Sequence, residues 1–401
     1  MHIKPRLLTP GPTPLPEEVR LALAQDMVHH RKADFKKIMA EVQEGLGLLF
    51  ATEQPVLPLA CSGTGAMQAA LSNLFQTGET VLVVEGGKFG QRWSNIASRL
   101  GLAVERLAVP WGQAVDPAAV SEKLDSNPSI AGILVQASET STGVLHPVHQ
   151  LGRLTKDSNT LLVVDGISAV GISPCPMDAW GIDCLLTGSQ KGLMLPPGLA
   201  LISLSQAAWD KARQVHNPNM YFDLLLELDK SRSQQTAYTS PVNLIFGLKA
   251  CLDIFRRHGL DQIQDKYWRL TQMTRRGVEA IGLKLFVDWQ YTWGLTSLEL
   301  PQEIDAGKLL ELAESEYRVT MAGGQDQLKG RLIRIGHMGY VDFADILAGL
   351  YALERGVTKL GGGPAARPDY LEQAMQAFED PGHPEGDCEN QLERPFVAED
   401  T

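Results

Sequence analysis

Short apolar runs recur along the first part of the chain, and longer segments with apolar residues every three or four positions separate them. Short apolar runs are typical of buried strands, whereas the longer period is typical of amphipathic helices. Strands that alternate with helices predict an α/β domain with a mainly parallel sheet of about seven strands. The predicted strands are Val56–Leu59, Val81–Val84, Val104–Leu107, Ile130–Gln136, Leu161–Asp165, Cys184–Thr187 and Leu199–Leu204.

The carboxyl-terminal part of the chain repeats this alternation on a smaller scale. A long amphipathic helix is predicted over Leu260–Ile281, and strands follow at Leu295–Leu300, Arg318–Met321 and Leu332–Ile335. Helices between and after these strands predict a second, smaller α/β domain. The segment Asn217–Tyr238, which precedes this part, is polar and has no regular period.

These patterns divide the chain into an amino-terminal arm (1–16), a large domain (17–257), a small domain (258–358) and a tail (359–401). The arm is rich in proline, which fixes φ and disfavours regular structure. The tail begins with glycines and a proline and holds few apolar residues, so we expect a flexible acidic segment with at most one short helix, at Tyr370–Phe378.

Composition narrows the classes of function. Ten acidic residues and two arginines in residues 360–401 supply most of the formal net charge of −11, so the remaining chain is nearly neutral and has no basic stripe for nucleic acid. The five cysteines are widely spaced, so we expect neither a disulfide framework nor a metal site. Without an apolar signal segment or a membrane-length run, a cytoplasmic protein that binds no membrane is expected.

The strongest chemical signal is a lysine at the end of a predicted strand. Lys191 follows Gly188-Ser189-Gln190, and a lysine in a dry, tight pocket has a lowered pKa and can form a Schiff base with an aldehyde. Asp165 ends a preceding apolar strand, and the two side chains are therefore expected at neighbouring strand ends. A carboxylate for the ring nitrogen and a lysine for the aldehyde are the two anchors that pyridoxal phosphate requires.

A second signal is a run of small residues, Cys61–Ala66, between a predicted strand and a predicted helix. Backbone N–H groups at such a turn and at the positive end of the helix can bind a phosphate. The run is neither a Walker loop nor a dinucleotide-binding fingerprint, and by itself it also fits an ordinary strand-to-helix turn.

Six motifs resemble, in the same order, those of the class V aminotransferases of fold type I, and especially the alanine–glyoxylate and serine–glyoxylate aminotransferases. The motifs are Leu8-Thr9-Pro10-Gly11-Pro12-Thr13, Ser62-Gly63-Thr64-Gly65-Ala66, Glu139-Thr140-Ser141-Thr142-Gly143, Val164-Asp165-Gly166, Gly188-Ser189-Gln190-Lys191 and Arg334-Ile335-Gly336. The resemblance implies a pyridoxal phosphate enzyme in which Lys191 and Asp165 are catalytic. The implied reaction is transamination between alanine or serine and glyoxylate.

The resemblance also implies cofactor contacts beyond Lys191 and Asp165. Phe89 would stack on the pyridine ring, and Thr140 would lie near the phenolic oxygen. The residues that would hold the phosphate are Thr64, Gly65, Ala66 and Gln190.

Substrate and subunit contacts follow from the same resemblance. Gly11 would lie near the substrate, and Arg334 would bind its α-carboxylate, for which a guanidinium fork is well suited. Thr236 and Thr239 would reach the phosphate bound by the other subunit. The implied assembly is therefore a homodimer with active sites at the interface, acting on small amino acids and 2-oxo acids.

Two other classes of function stay open. Another chemistry on the same cofactor, as in a cysteine desulfurase or a lyase, would need a nucleophilic cysteine late in the chain, and Cys388 in the tail is the one candidate. A non-catalytic subunit of a redox complex is the other class, because some relatives in photosynthetic bacteria carry the label of a soluble hydrogenase small subunit. Iron–sulfur sites need clustered cysteines, however, and those of this chain are scattered.

Overall fold

A computed structural model of the chain describes residues 4–361 and 363–382. The strands, in chain order, are β1 (Arg6–Leu7), β2 (Val56–Leu59), β3 (Thr80–Glu85), β4 (Ala103–Ala108), β5 (Ile130–Gln136), β6 (Ser138–Glu139), β7 (Val144–Leu145), β8 (Leu161–Asp165), β9 (Cys184–Gly188), β10 (Ala200–Leu204), β11 (Lys284–Leu285), β12 (Leu295–Glu299), β13 (Val319–Thr320), β14 (Ala322–Gly323) and β15 (Leu332–Gly336). The helices are α1 (Glu17–Leu23), α2 (Ala33–Phe50), α3 (Gly63–Leu74), α4 (Lys88–Arg99), α5 (Pro117–Ser126), α6 (Val148–Thr155), α7 (Gln206–Ala212), α8 (Leu224–Ser231), α9 (Val242–His258), α10 (Leu260–Ala280), α11 (Ala306–Tyr317), α12 (Phe343–Leu360) and α13 (Tyr370–Glu379).

The seven strands predicted in the first part of the chain form one seven-stranded sheet with the order β2-β10-β9-β8-β5-β3-β4. Strands β9, β8, β5, β3 and β4 pair in parallel, and β10 runs antiparallel to both of its neighbours. The prediction of a mainly parallel sheet is therefore confirmed.

The sheet is buried on both faces, which explains why its central strands read as continuous apolar runs. Along β8, Leu162 and Val164 belong to one apolar cluster, while Leu161 and Val163 belong to a second cluster. Successive side chains of a strand point to opposite faces, so the two clusters are the layers above and below the sheet. The strand ends at Asp165, its one charged residue.

A separate four-stranded antiparallel sheet has the order β11-β12-β15-β14. The arm lies against this part of the molecule, because β1 pairs in parallel with β13 and the Gly336 N–H donates to the Leu8 carbonyl at 2.7 Å. The predicted strand Arg318–Met321 is thus a short strand that pairs with the arm instead of joining the small sheet. The proposed division at residue 258 falls at the junction of α9 and α10 and stays a prediction.

The segment Asn217–Tyr238, which shows no regular period in the sequence, contains helix α8. Asp223 accepts a hydrogen bond from the Leu226 N–H and caps the helix. The run of leucines that follows lacks the spacing of a single apolar face, so periodicity did not reveal the helix.

The predicted short helix at Tyr370–Phe378 is confirmed as α13, but this part of the tail is packed and does not fit the expectation of a flexible segment. Ala374 is fully buried, and the Phe378 ring lies 5.0 Å from the Phe343 ring. The Trp268 indole of α10 donates to the Gly382 carbonyl at 3.0 Å. This part of the predicted tail is therefore packed on the small domain, while residues 383–401, including Cys388, lie outside the described residues.

Within residues 4–361 and 363–382, no helix has both the length and the apolar character that crossing a membrane requires.

Candidate active site

A cavity of about 290 Å³ lies beyond the carboxyl ends of β8 and β9. In α/β proteins, ligands bind at such strand ends. The cavity brings together most of the predicted site residues: Gly11, Thr64, Phe89, Thr140, Asp165, Gln190 and Lys191. A larger groove of about 720 Å³, near α1 and α10, is lined by none of them.

Lys191 is held in the cavity by the arm. Its side chain is buried, with 9% of the residue exposed, and Nζ donates a hydrogen bond to the Pro10 carbonyl oxygen. Gly11 has a φ of +121°, and a Cβ there would lie 2.8 Å from Nζ, so this position requires glycine. Burial lowers the pKa of Lys191 to about 8. The amine is therefore far closer to its neutral, nucleophilic form at neutral pH than an exposed lysine would be.

Asp165 faces the same cavity from the end of the neighbouring strand. It is 4% exposed, and its Oδ1 accepts a hydrogen bond from the Ile167 N–H at 2.8 Å. Burial raises the pKa of this carboxyl to about 7, and the positive charges of Arg92 and Lys191 oppose that effect. A cationic ring nitrogen beside Asp165 would shift the carboxyl further towards its ionised form.

The turn before α3 supplies one wall of the cavity. Helix α3 begins at Gly63, earlier than the sequence suggested, and Ser62, Gly63 and Thr64 line the cavity. The N–H groups of Gly65 and Ala66 donate to the Ser62 carbonyl, so these two predicted residues lie in the helix behind the cavity wall. The positive end of α3 is consequently directed at this wall, as a phosphate site requires.

Arg92 was not identified from the sequence. It lines the cavity, its guanidinium lies 4.8 Å from the centre of the Phe89 ring, and Nη1 donates to Thr64 Oγ1 at 3.1 Å. Phe89 and Arg92 are three positions apart on α4, which places them on the same face. That spacing was the signal available in the sequence.

The residues of the cavity fit the cofactor that the sequence implies. The side-chain oxygen of Gln190 is buried and has no hydrogen-bond partner among the described residues, and because the two ends of an amide can exchange places, the side chain can present its NH2 group to a bound anion. Arg92 and the start of α3 suit a phosphate, and Asp165 suits a protonated pyridine nitrogen. Pyridoxal phosphate carries all of these groups, together with an aldehyde for Lys191.

Arg334 is not one of the residues that line the cavity; it is 7% exposed and is hydrogen-bonded to the backbone of Thr140, which does line it. Its Nε and Nη2 donate to the Gly323 carbonyl at 3.0 and 2.8 Å, and Nη1 donates to the Thr140 carbonyl at 2.7 Å. No carboxylate in the described residues lies within ion-pair distance of it, although the buried Glu139 carboxylate acts on its charge from further away. Its predicted contact with a substrate carboxylate stays a prediction.

Thr236 and Thr239 do not join the cavity of their own chain. They line a separate small pocket with Tyr221 and Tyr238. The Arg31 guanidinium, which the sequence did not single out for this purpose, holds the segment by donating to the Thr236 carbonyl at 2.8 Å and to neighbouring carbonyls. Their predicted contact with the phosphate of another subunit stays a prediction.

Comparison with known proteins gives matches over most of the chain. The profile of the family described as Aminotransferase class-V matches residues 11–327. The chain is 39% identical to a soluble hydrogenase small subunit from Synechococcus, over 90% of this chain and 95% of that protein. It is 32% identical to a serine–glyoxylate aminotransferase from Methylorubrum extorquens, over 92% and 96% of the two chains.

Among solved structures, an alanine–glyoxylate aminotransferase from Nostoc superposes with a TM-score of 0.84 and 29% identity. The match covers 89% of this chain and 96% of that chain.

Proposed function

The chain belongs to the class V aminotransferases, and on that basis we propose that it transfers the amino group of alanine or serine to glyoxylate. Its cofactor is pyridoxal phosphate, and its fold is fold type I of the enzymes that use it. The observation that carries the proposal is the convergence of Lys191, Asp165 and Gly11 on one cavity. The names of the serine–glyoxylate and alanine–glyoxylate relatives support the choice of substrates.

When bound, pyridoxal phosphate supplies an aldehyde that links to amines and a ring that withdraws electrons from the bond being broken. Lys191 Nζ would hold this group through its aldehyde, and the same amine would act as the base that takes the proton from the substrate Cα. The lowered pKa of Lys191 suits both roles, because each requires a neutral amine. Pro10, whose carbonyl accepts a hydrogen bond from Nζ, keeps the amine oriented towards the cavity.

The other residues bind and orient. The Asp165 carboxylate would accept a hydrogen bond from the ring nitrogen and hold a proton there, and Phe89 would pack against the ring. Gln190, Thr64 and the start of α3 would bind the phosphate, and Thr140 would lie near the phenolic oxygen. Arg334 binds the α-carboxylate of the substrate and thereby fixes which bond at Cα faces Nζ.

A homodimer is part of the proposal. Thr236 and Thr239 lie away from the cavity of their own chain, as expected for residues that serve the site of a second copy. Mixing a Lys191→Ala subunit with a Thr239→Ala subunit tests this, because shared sites would give heterodimers with one intact site. Activity that never exceeds the sum of the two separate variants would contradict shared sites.

The two other classes of function, a cysteine desulfurase or lyase and a non-catalytic redox subunit, can be distinguished from transamination. A desulfurase needs an accessible thiol, and in the described residues Cys175, Cys184 and Cys251 are buried, while burial raises the pKa of the half-buried Cys61 thiol to about 12. A redox subunit would show broad iron–sulfur absorbance bands, whereas a lysine-linked cofactor absorbs at the edge of the visible range. The spectrum of the purified protein therefore tests the second alternative.

A matrix of substrates tests the proposal itself. Alanine, serine, glycine and aspartate are assayed as donors against glyoxylate, pyruvate and hydroxypyruvate. We expect the highest kcat/KM for alanine or serine with glyoxylate. Turnover that is confined to other pairs would refute the substrate assignment, and a protein that holds the cofactor but transfers no amino group would refute the proposed reaction.

A further inference from the structure

Glu139 is a fully buried carboxylate that has no part in the proposed binding of cofactor or substrate. It accepts five hydrogen bonds: its Oε1 from the Ser141 N–H and hydroxyl, and its Oε2 from the Phe89 N–H, the Gly90 N–H and the Gln136 amide. Every partner is a donor. Burial raises the pKa of Glu139, but these donors favour the ionised form, which offers acceptors only.

The donors show that Glu139 caps α4 from a distant part of the chain. The residue before the helix is Gly87, which has no side chain with which to cap it. Instead, Ser141 Oγ accepts from the Lys88 N–H at 3.0 Å, and Glu139 Oε2 accepts from the next two N–H groups, each at 3.1 Å. A negative charge at this end is also favoured by the helix dipole.

Gly87 makes room for this arrangement. A Cβ at position 87 would lie 2.4 Å from Glu139 Cδ and 2.5 Å from Ser141 Oγ. Any other residue there would force the carboxylate away from the start of the helix. The glycine and the glutamate therefore form one unit.

Two residues assigned to the cofactor are attached directly to this unit. Phe89 is one of the donors to the carboxylate, and Thr140 is the next residue after Glu139 along the chain. The Thr140 carbonyl in turn accepts from Arg334 at 2.7 Å. One buried carboxylate thus connects the ring-stacking residue with the loop that orients the arginine.

We propose that Glu139 is a positioning residue, which caps α4 and thereby holds the Phe89 ring and the Thr140 loop at the separation that the bound cofactor requires. The inference rests on the proposed function, because it takes Phe89 and Thr140 as cofactor contacts. Glu139 itself touches neither cofactor nor substrate in this proposal. It acts through the residues that do.

Four variants test the proposal. Glu139→Gln keeps the size of the side chain but brings an additional donor into a set of donors. Glu139→Asp keeps the carboxylate, and Gly87→Ala displaces the carboxylate without altering it. Glu105→Gln on β4 is the matched control, since Glu105 also accepts two side-chain hydrogen bonds but does not line the cavity.

The readouts are the dissociation constant for pyridoxal phosphate, the visible circular dichroism of the bound cofactor and the kinetics of transamination. For Glu139→Gln and Gly87→Ala we expect roughly tenfold weaker cofactor binding and a kcat reduced by a larger factor than KM changes, because the misplaced contacts act mainly on the reacting geometry. The visible circular dichroism of the bound cofactor should also fall in these two variants. Glu139→Asp should lose less of each signal than Glu139→Gln does. A protein that carries both Glu139→Gln and Gly87→Ala should be no worse than Glu139→Gln alone, since both changes break the same contact.

Two results would overturn the proposal. One is wild-type affinity and dichroism in both Glu139→Gln and Gly87→Ala. The other is a lower Tm with unchanged affinity and dichroism at temperatures where the variants are folded, because that would make Glu139 purely structural. A failure of the proposed function would be seen separately, in the wild-type protein, as no cofactor linked to Lys191.

Discussion

Arg334 Nη1 donates a hydrogen bond to the carbonyl oxygen of Thr140 at 2.7 Å, across 194 positions of the sequence. The bond joins β15 of the small sheet to the turn between β6 and β7, which follows β5 of the large sheet. Together with the two bonds to Gly323, it fixes the plane of the guanidinium before any substrate is bound. A fixed donor loses little entropy when it binds a carboxylate, which favours both affinity and alignment.

Arg334→Lys should therefore impair substrate binding although it keeps the charge. A lysine has one ammonium group and cannot make the same three bonds while it also holds a carboxylate. Loss of one or two charge-assisted hydrogen bonds, at about 2 kcal/mol each, predicts a fall in kcat/KM of roughly thirtyfold or more, mainly through KM. Steady-state kinetics measure it. Arg331→Lys, an exposed arginine just before the same strand, is the control, and equal effects of the two variants would contradict the role of Arg334.

Lys191→Ala should abolish the covalent link to the cofactor and reduce transamination by several orders of magnitude. The amine is both the attachment point and the base, and no other lysine lines the described cavity. Borohydride treatment followed by peptide mass spectrometry measures the link, which should appear on the peptide with Lys191 in the wild-type protein alone. A trapped adduct on another lysine, with activity retained, would refute the assignment.

The pH dependence of cofactor loading should reflect the pKa of Lys191. Burial lowers this pKa to about 8, and only the neutral amine attacks the aldehyde. The loading rate of cofactor-free protein should therefore rise about tenfold per pH unit below that value and level off above it. Pyridoxamine phosphate, which has no aldehyde, is the control and should not show this dependence. A loading rate that keeps rising towards pH 10 would indicate an unperturbed lysine.

The parts of the site that the sequence revealed are those with a local signature. Asp165 and Lys191 each follow an apolar run, so the end of a buried strand marked both of them. Arg334 was identifiable in the same way, as a charge within an apolar strand.

Other features depend on contacts between distant residues, which leave no periodic trace. Glu139 caps a helix that begins about fifty positions earlier, and Pro10 of the arm contacts Lys191 across 181 positions. Helix α13 illustrates the same limit: the helix was predictable but its packing was not, because Phe343 and Trp268, which contact Phe378 and Gly382, lie on two other helices.

A chain that ends at Leu360 should be destabilised, whereas one that ends at Gly382 should not. The shorter chain loses α13 and exposes the side chains that Ala374 and Phe378 cover. It also leaves the buried part of Trp268 without the bond to Gly382, which together with the lost apolar burial predicts a loss of about 2–5 kcal/mol of unfolding free energy. Denaturant titration of both chains measures this. Equal unfolding midpoints would show that residues 361–382 contribute nothing to the unfolding free energy.

Arg92→Gln should weaken the binding of pyridoxal phosphate more than the binding of pyridoxal, which lacks the phosphate. Arg92 and Lys191 are the cations that line the cavity among the described residues, and Lys191 is committed to the aldehyde. Arg92 also bonds Thr64 at the start of α3, so its charge lies beside the proposed phosphate site. Loss of one charge-assisted contact predicts a ratio of the two affinities that falls roughly tenfold. Arg99→Gln, an exposed arginine in the last turn of α4, is the matched control. If the ratio stays constant while KM for a dicarboxylic donor such as aspartate rises, Arg92 binds the side chain of the substrate and not the phosphate.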